Sequence, residues 1–352
     1  TQKIVFNVLD EDSSIIGEEA FMNPATSEEF TLGYFISKDI GMYNVDFGLR
    51  MDQIDRSGSV TDEDHGDMDY YNIDDTTNSF AVTLGKSLGD SLDVDFGFAS
   101  VERLPSVIEL FMNGPHLATG RLEVGNPNLK SETSNNFDVT FDYDNGDFYG
   151  YASFYINKVD NYITLMDEDD EHGDEDHDED HGDDDHGDDH GDDHDDHADL
   201  IHSFYVQENA EFIGYELEFG RTVNLASGDL TYSFGRDQVN AEFADGHNVP
   251  RINPARNVYT LSYKQNDTVF KINLKSVERQ NDFAEGETAT DSYRMLDTRV
   301  TKTFSVNDKS RMKVTLFANN LLDDVARNHS SFVKGPVPLP GRNVGIKFNL
   351  TF

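Results

Sequence analysis

YNVDFGLRM, residues 43–51, decides the architecture. Tyr43, Val45, Phe47, Leu49 and Met51 alternate with Asn44, Asp46, Gly48 and Arg50, so an extended chain carries one apolar and one polar face here. The same period of two recurs in LDVDFGF (92–98), NFDVTFDY (136–143), VYTLSYK (258–264), VFKINLK (269–275) and MKVTLF (312–317), with long strands expected at 147–166 and 204–220. In all, the pattern predicts about fourteen strands. A load of 25 Phe and 15 Tyr without Trp suits an all-β chain.

The connections are more regular than the strands. Short stretches rich in Gly, Asn and Asp fall near 38–42, 88–91, 144–147, 265–268 and 306–310, where they suit tight hairpins. Long polar loops are expected near 10–27, 52–76, 104–131, 167–203, 240–254, 281–290 and 323–341. Strand, short turn, strand, long loop is an antiparallel up-and-down meander with every long loop at one end. Transmembrane β-barrels of the outer membrane have that asymmetry, with short periplasmic turns and long extracellular loops. A soluble β-sandwich gives the same alternation but does not sort its connections by length. No run of about 18 apolar residues is present, which excludes a transmembrane helix but not a barrel. The opening TQKIVFNVLD alternates like a strand and is no signal peptide, so the chain is expected to start within a domain.

The formal charge of -42, from 27 Lys and Arg against 69 Asp and Glu, makes nucleic acid and anionic head groups poor partners and cations good ones. Half of that charge lies in Asp167–Asp199, which holds 21 acids and no base. Such a segment cannot repay its ordering entropy by burial. Its imidazoles, His172, His177, His181, His186, His190, His194 and His197, interleave with carboxylates, and His202 follows at the edge of the stretch. Imidazole suits zinc, copper or nickel far better than calcium. The histidines recur at irregular spacings of three to five residues, which implies several weak, exchanging sites rather than one rigid tetrahedron. His65, in TDEDHGDMD (61–69), belongs to a smaller copy of the pattern and is an auxiliary metal contact. The remaining histidines, His116, His247 and His329, also fall in the long loops, so every imidazole is expected at the outer mouth. Cysteine is absent, so any metal must be held by N and O ligands. Without a Gly-rich phosphate loop, an HExxH, a nucleophile elbow or a cysteine nucleophile, no enzyme and no resident cofactor is expected.

Three stretches go beyond composition. ERLPSVIELFMNGPHLATGRLEVGNPNLKSE (102–132) resembles the signature of TonB-dependent outer-membrane receptors, with Arg103, Pro105, Glu109 and Leu110 followed by Gly125-Asn126-Pro127, Leu129 and Glu132. ANNLLD (318–323) resembles that family's penultimate strand. PGRN (340–343) precedes a terminal strand in which Val344, Ile346, Phe348, Leu350 and Phe352 share one face, similar to the C-terminal aromatic signature of outer-membrane barrels. Within the family the chain looks most like the zinc-uptake receptors, through its histidine- and acid-rich loop at 167–203, the NGPHLAT stretch with His116 and the RNHSSFVKG stretch with His329. The resemblance implies a barrel of about 22 strands closed by an N-terminal plug. Residues 1–352 would supply its C-terminal part, the plug, TonB box and about eight strands having no counterpart. It also implies contact with outer-membrane lipid, energy passed from TonB through the plug, and import of zinc or a similar divalent ion. His116 and His329 become the candidate transport ligands, with Glu109, Glu123 and nearby acids completing the set, while the loop histidines act as a collector. Arg103, Arg121 and Arg342 are expected to pair with acids. Two rivals stay open: a receptor of the same family for a siderophore or haem, and a surface protein that binds metal without transporting it.

Overall fold

The structure is a computed structural model and describes residues 1–17, 20–61, 66–168, 200–307 and 310–352. The first half of the chain forms β1 (Gln2–Ser13), β2 (Ala25–Ile40), β3 (Tyr43–Thr61), β4 (Met68–Ser87), β5 (Leu92–Arg103), a single-turn helix α1 (Val107–Phe111), β6 (Asn113–His116), β7 (Arg121–Val124), β8 (Glu132–Asp144) and β9 (Phe148–Asp167). The second half forms β10 (Ile201–Leu225), β11 (Gly228–Phe243), β12 (Arg256–Gln265), β13 (Thr268–Val277), β14 (Tyr293–Ser305), β15 (Arg311–Asn319) and β16 (Asn343–Thr351). Fourteen of these strands lie side by side in chain order, each antiparallel to the next, with β6 and β7 set aside at one end. This is the expected all-β meander with the expected number of strands.

Register follows from the turns. Ile40 pairs with Tyr43 and Gln265 with Thr268, so two residues close each of these hairpins. Gly41 (φ 65°) and Asn266 (φ 49°) take the left-handed conformation that such tight turns require. A third two-residue turn, at 226–227 between β10 and β11, was not expected, and β11 lacks clean alternation because RDQVN is polar on both faces.

The two faces of the sheet differ as a bilayer demands. Val344, Ile346, Phe348 and Leu350 on β16 are 53–74% exposed, and Leu316, Phe154, Ile213, Phe219, Phe137, Phe96 and Leu49 continue this outward apolar band. So much contiguous exposed apolar surface is incompatible with a soluble protein and suits contact with lipid. The opposite face is polar: the register aligns Asp95 with Thr140, Thr140 with Ser153, Ser153 with Glu216 and Glu216 with Asp237.

The long loops are shorter than composition suggests. Strands β3 and β4 run through most of 52–76, β1 and β2 take up both ends of 10–27, and β11 extends to Phe243. Polar residues there do not mark irregular chain, because they are hydrogen-bonded on the inner face. Thr31 donates to Asp52 at 2.5 Å, and Arg56 donates to Glu29 at 2.9 Å and to the Pro105 carbonyl. With 25 residues, β10 is far longer than the roughly 9–11 residues that cross a bilayer, so the sheet projects well beyond the membrane at the long-loop end. The apolar core lies at that end too: Met22, Ala25, Leu110, Phe111, Leu129 and Ile163 form one buried cluster, and Ala210, Ala241, Phe243 and Val249 another.

Candidate metal-capture site at the long-loop end

The stretch 104–131, expected as a loop, is an ordered structure built on α1. Ser106 caps the helix by accepting from Glu109 N at 3.2 Å while the Glu109 carboxylate accepts from Ser106 N at 2.6 Å. Arg103 forks to Glu109 at 3.0 Å and to Glu132 at 3.0 Å, tying the loop to the start of β8. Glu109, considered above as a metal ligand, is therefore committed to the cap and the ion pair. Gly125 packs against the helix end, its N–H donating to the Met112 carbonyl at 2.6 Å.

Beyond α1, β6 and β7 form a hairpin that presents His116. Its Nδ1 lies 2.9 Å from Oε1 of Glu123, a buried carboxylate that also accepts from the Thr119 hydroxyl at 2.7 Å. An ionised carboxylate can only accept, so it selects the tautomer with the proton on Nδ1 and leaves the lone pair on Nε2, as in metal-ligating histidines. Phe21 stacks on the imidazole at 4.7 Å.

The same hairpin anchors the root of the histidine-rich stretch. β7 pairs in parallel with the first residues of β10, with Arg121 opposite Ile201 and Leu122 opposite His202. From the other side, Asp167 at the end of β9 receives Arg121 Nε at 2.7 Å, Arg121 Nη2 at 2.6 Å and the Ser203 hydroxyl at 2.7 Å. Burial pushes the Asp167 carboxyl up, but these donors outweigh it and hold it below its ordinary value. Arg121 also lies 4.6 Å from the ring of Phe332, and Arg251 lies 4.5 Å from the same ring. Three long loops thus meet at one aromatic side chain.

His329 sits differently from its expected place at the open mouth: it is 2% exposed. Its Nδ1 is 3.0 Å from the Thr290 hydroxyl, and its Nε2, buried without a hydrogen-bond partner, lies 3.8 Å from Oε2 of Glu287. Glu287 is fixed by the Arg251 N–H at 3.0 Å and by Lys334 Nζ at 3.2 Å. Burial pushes its carboxyl up, but the imidazole, the Arg251 N–H and the Lys334 charge overcome this and bring it down to about 2. Thr290 gives the enclosed imidazole one hydrogen-bond partner, while Glu287 stands near its unpartnered Nε2 as a charge.

Of the other candidates, His202 is the exposed second residue of β10, and the Glu168 N–H donates to its carbonyl at 2.8 Å. His247 is exposed and 2.6 Å from Asp245, whose carboxylate raises its pKa. His65, His172, His177, His181, His186, His190, His194 and His197 lie outside the described residues. Among the described residues no three His, Asp or Glu side chains come together in metal-binding geometry, so His116 and His329 do not share a preformed site. Arg103 and Arg121 pair with acids as expected, and Arg342 lies 3.6 Å from Asp323. The roles of Arg251, Phe332, Thr290, Glu287 and Lys334 were not foreseen; no local pattern marks them, since each acts through contacts distant in sequence.

The fold is shared with solved structures. The copper transporter OprC superposes with a TM-score of 0.71 at 16% identity, covering 94% of this chain and 49% of that one. The FrpB iron transporter of Neisseria meningitidis gives 0.61 at 13% identity over 94% and 46%. The Serratia marcescens hemophore receptor HasR, in complex with HasA and heme, gives 0.59 at 14% over 99% and 54%. The chain therefore spans about half the length of each structure it matches. Residues 15–321 match the family model described as TonB dependent receptor-like, beta-barrel. With most of its length matched, its fourteen-stranded antiparallel meander and its outward apolar band, the chain belongs to the TonB-dependent receptor β-barrel family.

Proposed function

We propose that this chain serves TonB-dependent uptake of zinc, or of a similar borderline divalent ion, across the outer membrane. The carboxylate–imidazole stretch collects the ion, and His116, oriented by Glu123, receives it. The observation that carries this reading is the attachment of both roots of the histidine-rich stretch to the His116 hairpin, through the Arg121–Asp167 pair and the parallel β7–β10 pairing. An ion released by the collector is thus delivered beside an imidazole whose Nε2 lone pair is free. His329 is a later ligand, reached when Glu287 exchanges Lys334 for the metal.

The deciding experiment is zinc titration of the full receptor by calorimetry, comparing wild type with His116→Ala and with residues 169–199 replaced by a Gly-Ser segment. Loss of the multiple weak sites in the replacement and of a tighter site in His116→Ala is expected. Unchanged isotherms in both would end the reading.

A second reading, uptake of an anionic chelate, has one observation in its favour. Arg251 has no carboxylate fork: it donates to the Thr164 hydroxyl at 3.0 Å and the Leu165 carbonyl at 2.7 Å and stands against Phe332. Saturable binding of haem or a ferric chelate by the full receptor, with no zinc binding, would favour that alternative.

A further inference from the structure

The register decides which side chains face lipid, and it puts three cations at one end of that face. Lys86 on β4, Arg221 on β10 and Lys302 on β14 each follow an exposed apolar residue of the outward band, Leu84, Phe219 and Val300, by two positions, which keeps them on the outward side. Each strand ends a few residues later in a short turn. Each cation also lies against an aromatic ring. Lys86 Nζ is 5.3 Å from the centre of the Tyr43 ring, the Arg221 guanidinium carbon 4.5 Å from that of Phe148, and Lys302 Nζ 5.3 Å from that of Phe304. Tyr43 and Phe148 are the cross-strand partners of Lys86 and Arg221, and Phe304 follows Lys302 by two, so rings and cations share one face.

Carboxylates are missing from this face beside them. Lys86 stands between Tyr43 and Val94, Arg221 between Phe148 and Tyr232, and Lys302 between Thr268 and Val314. The short turns carry acids, among them Asp90, Asp147 and Asp267, yet none of the three cations forms an ion pair among the described residues. At the long-loop end the same outward face is different. Lys158, across from Glu211 and two positions from the partner of exposed Ile213, pairs with Glu211 at 3.0 Å, and Arg236, two positions from the partner of Phe219, pairs with Glu278 at 2.5 Å. Arg221 carries a further mark: its Nε is buried and has no hydrogen-bond partner within the protein. A donor left open beside the apolar band calls for an acceptor from outside the chain.

We infer that the Lys86–Tyr43, Arg221–Phe148 and Lys302–Phe304 pairs are three headgroup sites, each taking the phosphate of a phospholipid of net negative charge in the leaflet at the short-turn end. Headgroups begin where the apolar band stops, and aromatic rings sit at that boundary. The ring holds the cation at headgroup depth while its alkyl stem covers apolar surface. The Arg221 guanidinium offers a planar fork to two phosphate oxygens, and the two ammonium groups act as point charges. A zwitterionic headgroup brings its own ammonium to its phosphate, whereas an anionic one leaves the charge for the protein. Attraction of one surface Lys or Arg to anionic lipid is worth about fivefold in affinity. The chain's charge of -42 does not cancel this, because acids more than about 10 Å away are largely screened at physiological salt. The pairs stand on different strands, so each engages its own lipid. The inference does not depend on the metal-uptake reading.

The test is native mass spectrometry of the full chain released from nonionic micelles, titrated with phosphatidylglycerol and, separately, with phosphatidylethanolamine of the same acyl chains. Wild type is expected to hold up to three phosphatidylglycerol molecules, each preferred about fivefold over phosphatidylethanolamine. Lys86→Gln, Arg221→Gln and Lys302→Gln should each remove one preferred adduct, and the triple variant should show no preference. Lys158→Gln/Arg236→Gln, which removes two outward cations at the other end, should keep all three. A heat-dependent gel shift reports folding, and the single variants decide the matter should the triple variant fail it. Equal binding of the two lipids by wild type overturns the inference, as does a preference that survives the substitutions or falls equally in the long-loop control.

Discussion

Replacing Asp167 by Asn tests whether the Arg121–Asp167 pair fixes the collector's root to the hairpin. The change preserves shape and removes one charge, leaving a guanidinium beside a neutral amide in a place where the two side chains are only 8% and 7% exposed. Two charge-assisted contacts, at 2.7 and 2.6 Å, weaken together. Breaking one side of a buried pair costs about 3–5 kcal/mol, because the remaining charge is left without compensation. Arg121 keeps the Thr119 carbonyl at 2.7 Å and the Phe332 ring, which places the cost near the lower end, about 3 kcal/mol. That cost falls on local opening of β7 from β10, which becomes roughly 150-fold more frequent. Hydrogen–deuterium exchange of amides 121–124 and 201–204 in the full chain measures it directly. Arg121→Met/Asp167→Leu, which removes both charges, should exchange nearly as slowly as wild type. Exchange in Asp167→Asn within about threefold of wild type, or a double variant as labile as the single one, would refute the pair's role.

Acid should loosen the His329 loop in a defined window. Glu287 has its carboxyl lowered from 4.5 to about 2, so the stability it contributes is complete above pH 4.5 and is lost as pH falls through that value toward about 2. Exchange of amides 326–334 should accelerate across that range in wild type and be fast and flat in Glu287→Gln. Gly125→Ala should destabilise the hairpin's platform, since a Cβ there lies 2.7 Å from the Leu110 carbonyl carbon and 2.8 Å from Met112 N. Such overpacking costs about 1–3 kcal/mol, and faster exchange over 107–113 would show it. Zinc capture should weaken between about pH 7.5 and 5, because protonated imidazole cannot ligate; affinities unchanged across that interval would remove histidine from the ligand set.

What the sequence disclosed about the fold is set by how each face is used. Strands such as β3 and β16 carry apolar side chains on the lipid face and polar ones inside, so their alternation is visible without tertiary information. β11 was obscured because RDQVN is polar on both faces: Arg236 hydrogen-bonds the Tyr215 hydroxyl at 2.8 Å, and Asp237 binds Arg256 at 2.7 Å. The same ambiguity hid the upper parts of β3 and β4. A polar residue there is satisfied across the sheet rather than by water, and composition alone cannot distinguish the two. Hairpin turns stood out where Gly or Asn takes positive φ, while the turn at 226–227 left only a Gly-Asp pair after it.

For the candidate site, residue types are legible in the sequence and their enclosure is not. Histidine and carboxylate density gives the expectation of metal ligation from composition alone, because ligand type is a property of the residue itself. Whether an imidazole is available depends on what closes over it, and that is decided by residues far away in sequence. His116 and His329 look alike as lone loop histidines, yet Glu123, seven residues on, orients the first, while Thr290 and Glu287, about forty residues back, shut in the second. The distinction has a functional consequence for uptake. A partly exposed imidazole whose Nδ1 is already held by a carboxylate can accept an ion at Nε2 without rearrangement, whereas one enclosed with a Glu–Lys pair can accept it only when that pair opens. Replacing Lys334 by Met removes the competing cation and should therefore strengthen zinc binding at His329 while leaving binding at His116 unchanged. Equal changes at both, measured in His116→Ala and His329→Ala backgrounds, would mean that the two histidines act as one site and that the order of handover is wrong.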